Sequence, residues 1–207
     1  MAKKIGLISD PHACAAPVRE ALTLFKKNNV DHIFCLGDIA GYGEELSETV
    51  NLLKNAGCDC IMGNHESWYL DKHTGSMDQN AAYFQCLPTN MELVTEEKKI
   101  YLVHASPPDD DMNGIRLLNE KGKIIESEKK QWSSILENYD FDILVVGHTH
   151  QVFHEKIGNK FVINPGSTKF NHSCMILVLP EMKVEIISLS GKKPILSWNW
   201  SMMHNKN

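Results

Sequence analysis

Hydrophobic residues recur along this chain at two different spacings. Val18, Leu22 and Phe25 stand at i, i+4 and i+7, Leu46, Val50 and Leu53 repeat that spacing, and Trp132, Ile135, Leu136 and Tyr139 keep the same helical period. Three amphipathic helices are predicted there, with Asn28-Asn29 and Gly57 as stops for the first two. Each precedes a short apolar run of strand type: His32 to Leu36, Cys58 to Met62, and Asp142 to Val146. Strand and helix in alternation imply βαβ units and a parallel sheet with right-handed crossovers.

The second half changes character. Met91 to Ala105 reads as a hairpin turning at Glu96-Glu-Lys-Lys99, Val152 to Ile163 as another turning at Gly158-Asn159, and Cys174 to Leu179 and Val184 to Leu189 add further strands. A mixed sheet or a second sheet is therefore expected. Trp68 to Asn90 contains Gly75, Asp78 and Pro88 without a clean period and reads as a loop with room for one helix. Asp109 to Gly114 reads as an exposed loop, and the tail Ser197 to Asn207 as partly disordered. With no repeat or low-complexity linker, the 207 residues are expected to form one domain, 1–207.

The chemistry lies at the ends of the strand-like runs. Ile5 to Ile8 leads to Asp10-Pro-His12, Ile33 to Leu36 to Gly37-Asp38, and Ile61-Met62 to Gly63-Asn64-His65; Ile100 to Val103 leads to His104, and Ile143 to Val146 to Gly147-His-Thr-His150. Parallel strands deliver their following loops to one edge of a sheet, so these residues are expected to converge. Asp10, His12, Asp38, Asn64, His104, His148 and His150 offer carboxylate, imidazole and amide donors. Such mixed O/N ligation suits manganese, iron, zinc or cobalt better than a thiolate zinc site or a calcium cage. Seven donors exceed the needs of one tetrahedral ion, and a carboxylate can bridge two cations, which makes Asp38 the candidate bridge.

The fragments Asp-x-His, Gly-Asp, Gly-Asn-His-Glu, a lone His and Gly-His-Thr-His, in that order, resemble the calcineurin-like metallophosphoesterase superfamily and its small bacterial and archaeal phosphodiesterase-type members. The resemblance runs from residue 5 to about residue 167. It implies an α/β fold in which a two-sheet β-sandwich is flanked by helices, a four-layer αββα arrangement. It also implies two divalent ions, manganese first with iron, zinc, cobalt or nickel as alternatives. One would be held by Asp10, His12, Asp38 and His150, the other by Asp38, Asn64, His104 and His148. In the family a hydroxide between the ions attacks phosphorus in line. His65, beside a ligand but not one itself, would protonate the leaving group or stabilise the transition state.

Departures from the family pattern bear on substrate. Protein phosphatases of the superfamily carry an acid and an arginine shortly after Gly-Asp, whereas this chain reads Gly37-Asp-Ile-Ala-Gly-Tyr-Gly43. Arg19 and Arg116 are its only arginines, so a pair clamping a dianionic monoester is hard to assemble. The reading is a dimetal phosphodiesterase acting on a small or nucleotide-like ester. A phosphomonoesterase or protein phosphatase is the first alternative. A non-catalytic protein-binding scaffold of the same fold is the second, and the intact ligand set and His65 argue against it.

Tyr42, Trp68 and Arg116 are candidate substrate contacts; packing is the competing reading for Trp68 and its neighbour Tyr69. Glu66 is expected to cap or pack locally, and Asn164-Pro-Gly-Ser167 to be a tight turn. His32, His73, His154, His172 and His204 are read as surface or packing residues, and Trp198, Trp200 and Met202-Met203 as packing or an interface. A net charge of −5 argues against bulk nucleic-acid or anionic-membrane binding. No apolar run approaches a membrane span or a signal-peptide core. The six cysteines lack Cys-x-x-Cys spacing, which favours a reduced, cytoplasmic chain with a homo-oligomer left open.

Overall fold

The structure, a computed structural model, describes residues 2–75, 78–199 and 202. In chain order the elements are β1 (Lys3–Ile8), α1 (Ala15–Lys27), β2 (His32–Cys35), α2 (Leu46–Asn55), β3 (Asp59–Cys60), α3 (Asn64–Lys72), α4 (Gln79–Phe84), β4 (Asn90–Thr95) and β5 (Lys98–Val103). They continue with α5 (Glu126–Leu136), β6 (Ile143–Val145), β7 (Val152–Ile157), β8 (Lys160–Pro165), β9 (Ser173–Leu179) and β10 (Lys183–Ser188). Two five-stranded sheets result, ordered β10-β9-β1-β2-β3 and β4-β5-β6-β8-β7. In the first, β1, β2 and β3 run parallel while β9 and β10 are antiparallel additions. In the second, β5, β6 and β8 are parallel and flanked by the two hairpin partners β4 and β7.

Strand alternation explains the layering. Ile5 and Leu7 of β1 face Ile100, Leu102, Ile143 and Val145 across the space between the sheets, while Ile8 faces Val18, Ala21 and Phe25 of α1 on the outer side. On β6 the same alternation sends Ile143 and Val145 inward, and Leu144 outward to Leu136 of α5 and Phe141. Helices α1, α2 and α4 cover the first sheet and α5 covers the second, which gives the four-layer αββα sandwich. The predicted stops hold: Asn28 caps α1, and Gly57 takes φ +64 just after α2.

Two expectations need correction. Cys58 to Met62 contributes only Asp59–Cys60 as strand; Ile61 still donates to the Cys35 carbonyl at 3.0 Å, and the chain then leaves the sheet toward α3. The segment from Trp68 to Asn90 contains the one helix it was given room for, but it opens inside a second. Trp68 to Lys72 completes α3, and Gln79–Phe84 forms α4, whose N-cap Asp78 accepts from Ala81 N–H at 2.8 Å. The weak amphipathicity of α3, with only Asn64 and Glu66 buried, hid it from a periodicity reading. Of the tail from Ser197, expected to be partly disordered, the first described residues are held: Ser197 pairs with Gln151 and Trp198 N–H donates to the His150 carbonyl at 3.1 Å, just after Leu196 accepts from Val152 N–H at 2.8 Å. The rest of that expectation, with the calls on Trp200, Met203 and His204, lies outside the described residues.

Candidate metal centre

The parallel strands β1, β2 and β3 of one sheet and β5 and β6 of the other end at one rim, and their following loops meet there. Asp10 N–H donates to the Gly37 carbonyl at 3.1 Å, His12 N–H to the Asp38 carbonyl at 2.9 Å, and Gly147 N–H to the His104 carbonyl at 2.7 Å. Sharp exits are forced on the chain. Asp10 (φ 50), His12 (φ 47), Asp38 (φ 53), His148 (φ 62) and His150 (φ 49) all adopt the left-handed region that non-glycine residues avoid. Each such residue costs on the order of 1 kcal/mol, and strain of this kind gathers where side-chain placement matters more than backbone comfort.

All seven residues expected as ligands are brought together. His12 Nε2 and His150 Nε2 lie 3.0 Å apart, and Asp10 Oδ1 is 3.3 Å from His150 Nε2 and 3.9 Å from His12 Nε2. On the other side His104 Nε2 is 3.3 Å from Asn64 Oδ1, which lies 3.1 Å from His148 Nδ1. Asp38 stands between the groups, with Oδ2 3.9 Å from His12 Nε2 and Oδ1 3.3 Å from His104 Nε2. The carboxylate and imidazole donors fall into the sets Asp10, His12, His150 and Asp38, His104, His148, with a third set, His12, Asp38, His65, overlapping both.

This donor set fits cations. Asp10 Oδ1 is fully buried and has no hydrogen-bond partner among the described residues, a costly state for an anionic oxygen unless a cation faces it. Two ring nitrogens 3.0 Å apart match the spacing of two donors each about 2.1 Å from a shared ion at roughly a right angle. The far nitrogens are committed elsewhere: Nδ1 of His12 donates to the Ala40 carbonyl at 3.2 Å, and Nδ1 of His104 to the Leu36 carbonyl at 2.5 Å.

The electrostatics agree. Burial pushes the His12 imidazole down to about 3 against the pull of Asp38 and Asp10, leaving it neutral with a lone pair to give. Burial alone would raise Asp38, but the charge and hydrogen bond of His104 bring it down to about 2. Asp10, likewise raised by burial, is held well below the usual carboxylate range by His150. His104 is lowered by burial yet driven up to about 10 by Asp38 and Asp10. Two buried carboxylates thus require positive charge beside them.

A second layer holds the loops. The buried Glu66 carboxylate accepts from the backbone N–H groups of Gly63 (2.8 Å), Asp38 (2.8 Å) and Ala40 (2.7 Å). It caps α3 as expected and also ties the Asp38 loop to it. Burial, then the Asp38 charge, pushes Glu66 up to about 8, against the pull of those N–H groups; three donors aimed at two oxygens are satisfied best by the anion. Gly63 is required by close approach, because a Cβ there would lie 2.3 Å from Asp38 Oδ1. Asn164-Pro-Gly-Ser167 does more than turn: Asn164 Nδ2 donates to the Gly147 carbonyl at 2.9 Å, and Ser167 Oγ to the Asp10 carbonyl at 2.6 Å.

The cluster opens into a cleft whose walls include Tyr42, His65, Trp68, Arg116 and Trp198. His65 Nε2 is 3.1 Å from Tyr42 Oη and 4.0 Å from Asp38 Oδ2, and its backbone N–H donates to Asp38 Oδ1 at 2.9 Å. Burial, opposed by Asp38, lowers its pKa. Tyr42, Trp68 and Arg116 all reach the cleft as expected. The sequence reading missed the depth of the Trp198 contribution, which stacks on Phe170 at 4.2 Å and lies 5.2 Å from the His150 ring. It also missed Lys169, whose Nζ reaches the His12 carbonyl at 3.3 Å. Lys169 stands two residues beyond the Asn164-Pro-Gly-Ser167 turn and Trp198 far from any metal-ligand motif, and the fold brings both to the site.

Residues 4–179 match the family model of the calcineurin-like phosphoesterase superfamily domain. The chain belongs to that superfamily. An uncharacterized protein of Methanocaldococcus jannaschii is 28% identical over 195 residues, covering 79% of this chain and 75% of that one. Among solved structures, a hypothetical protein from Pyrococcus horikoshii has a TM-score of 0.73 at 14% identity, covering 97% of this chain and 90% of its own. An archaeal protein described as a novel phosphodiesterase has a TM-score of 0.58 at 18% identity, over 90% and 99% of the two chains. At such identities these structures establish the superfamily fold alone. Trp198 and Asn199, which help wall the site, lie beyond the segment that matches the family model.

Glu66→Gln tests the second layer. The substitution turns one acceptor oxygen into an NH₂ group facing backbone N–H donors, so at least one buried donor loses its partner. A loss of about 1.5–3 kcal/mol is expected. Thermal unfolding should show a lowered midpoint; an unchanged midpoint would mean that Glu66 does not hold the loops together.

Proposed function

We propose that this phosphoesterase hydrolyses phosphate diesters at a two-cation centre, one cation held by Asp10, His12, Asp38 and His150 and the other by Asp38, Asn64, His104 and His148. The observation that carries this reading is the position of Asp38, one carboxylate oxygen toward each donor group. Held there, two divalent ions would lower the pKa of a water and offset negative charge on the phosphate. The O/N donor set favours manganese, with iron, zinc, cobalt or nickel as substitutes.

The chain's own residues set the rest. In the reaction the oxygen of water bonds to phosphorus, the bond from phosphorus to the departing oxygen breaks, and that oxygen takes up a proton, leaving an alcohol and a phosphomonoester. His65, at the mouth of the cleft and within 4.0 Å of Asp38, is positioned to give the departing oxygen that proton or a hydrogen bond. Tyr42 Oη, 3.1 Å from His65 Nε2, orients the ring. The preference for diesters rests on charge. Arg19 is engaged with Glu48 on the surface, and Arg116 is the single Lys or Arg among the described residues lining the centre of the cleft, with Lys72 only in a side recess, which suits a monoanionic diester better than a dianionic monoester.

Metal dependence is the first test. A chelator should abolish hydrolysis and manganese should restore it, and Asp38→Asn should retain less metal by elemental analysis than His12→Gln, because Asp38 serves both ions. Two ions per chain retained by Asp38→Asn would contradict the bridging role. For substrate class, the metal-loaded protein should give a higher kcat/KM for an activated aryl diester than for the matching monoester; the reverse order would make it a monoesterase.

His65→Ala separates chemistry from metal binding. Both metals should stay while kcat falls by about 10²- to 10⁴-fold, the range of general acid catalysis, with a smaller loss for a nitrophenolate than for an alkoxide leaving group. Equal losses for both would reduce His65 to electrostatic stabilisation.

A further inference from the structure

The cleft continues beyond the clustered ligands in two places. From the wall formed by Tyr42, His65 and Trp68 it runs into a recess that also meets Gly41, Tyr69 and Lys72. From the wall formed by Arg116, Thr149 and Trp198 it runs into another that also meets Asn119, Glu120 and Glu128. The two recesses share no described lining residue, so they are separate arms joined only through the centre.

The arms differ in chemistry. In the first, the Tyr42 and Trp68 rings each lie 4.8 Å from the His65 ring, and both stay largely exposed at 48% and 44%. Large aromatic surface left to water on either side of a site histidine is what a planar ring in the substrate would cover. In the second, the backbone alternation that buries Ile115 and Leu117 turns Arg116 outward, and among the described residues nothing pairs with its guanidinium. Its neighbours Asn119, Glu120 and Glu128 offer hydrogen-bonding groups, and the two acidic side chains oppose a longer polyanionic strand.

We propose that the two arms seat the two substituents of a small phosphodiester in a fixed orientation: a planar aromatic leaving group, such as a nucleoside or aryl group, against Tyr42 and Trp68, and a polar, hydroxyl-bearing retained group beside Arg116. This rests on the diesterase reading above. The orientation follows from His65, which lies in the aromatic arm and there faces the departing oxygen. Cleavage breaks the bond from phosphorus to that oxygen and releases the aromatic alcohol from the first arm. The phosphomonoester of the retained group stays in the second.

Two diesters that share a p-nitrophenyl leaving group test this, one retaining a methyl group and the other a 5′-linked thymidine. With metal-loaded protein, Trp68→Ala should lower kcat/KM for both to the same extent, by about 5- to 100-fold, the range of one lost stacking contact. Arg116→Ala should cost the thymidine-retaining diester several-fold more than the methyl one. Metal content measured on both variants should match wild type, separating substrate contact from damage to the centre. A Trp68→Ala penalty confined to the thymidine substrate, or below two-fold for both, overturns the orientation while leaving the diesterase reading intact. A metal-loaded wild type that hydrolyses neither diester overturns both.

Discussion

Two carboxylates buried in one pocket impose the constraint on which the rest of this architecture depends. Asp10 and Asp38 each lie 3.9 Å from the same His12 nitrogen, and both are almost wholly removed from water. Like charges so placed repel, and each also loses its hydration, so the pocket is tolerable only with positive charge inside it. The response is visible in His104, driven toward the protonated form by the two carboxylates, and in Asp10 Oδ1, which no described donor satisfies. Divalent cations would answer the same demand more completely.

Meeting that demand explains details of the backbone that would otherwise be faults. Left-handed conformations at Asp10, His12, Asp38, His148 and His150 cost energy individually, yet they aim five side chains from three different loops at one volume. Such strain persists only where neighbouring structure overrules it. Here the overruling structure is a set of buried hydrogen bonds reaching across the chain: Glu66 to Asp38 and Ala40, Asn164 to Gly147, and Ser167 to Asp10. These bonds are rigid because their partners are buried and each has one geometry that satisfies it.

The legible part of the molecule was the part written in periodicity. Alternation along β1 and β6 and the helical spacing in α1 and α2 predict those elements, and the ligand-type residues behind successive strands predict a convergent cluster, because a parallel sheet delivers all its strand ends to one rim. What escaped lacks a period. Helix α3 buries only Asn64 and Glu66, so its signal is chemical rather than hydrophobic, and its last residues, from Trp68, read as loop. Glu66 looked local because its cap is three residues long, while the bonds that matter span 26 and 28 residues. Contacts of that length leave no trace in sequence spacing.

The carboxyl-terminal residues carry the argument one step further. Trp198 packs on Phe170 and against the His150 ring, and the Asn171 side chain joins the two segments by donating to the carbonyls of His150 and Ile195. One flank of the centre is therefore built by a segment outside the stretch that matches the superfamily, while the clustered donors lie inside it. A core that gathers the donors, with walls supplied by loops and a terminal segment, separates two requirements. The donors must converge within a few tenths of an ångström, and the walls need only match the shape and polarity of a substrate. Substrate choice in this chain is then expected to reside in Tyr42, Trp68, Arg116 and Trp198 rather than in the donor cluster, since those side chains wall the cleft and supply none of the clustered donor atoms.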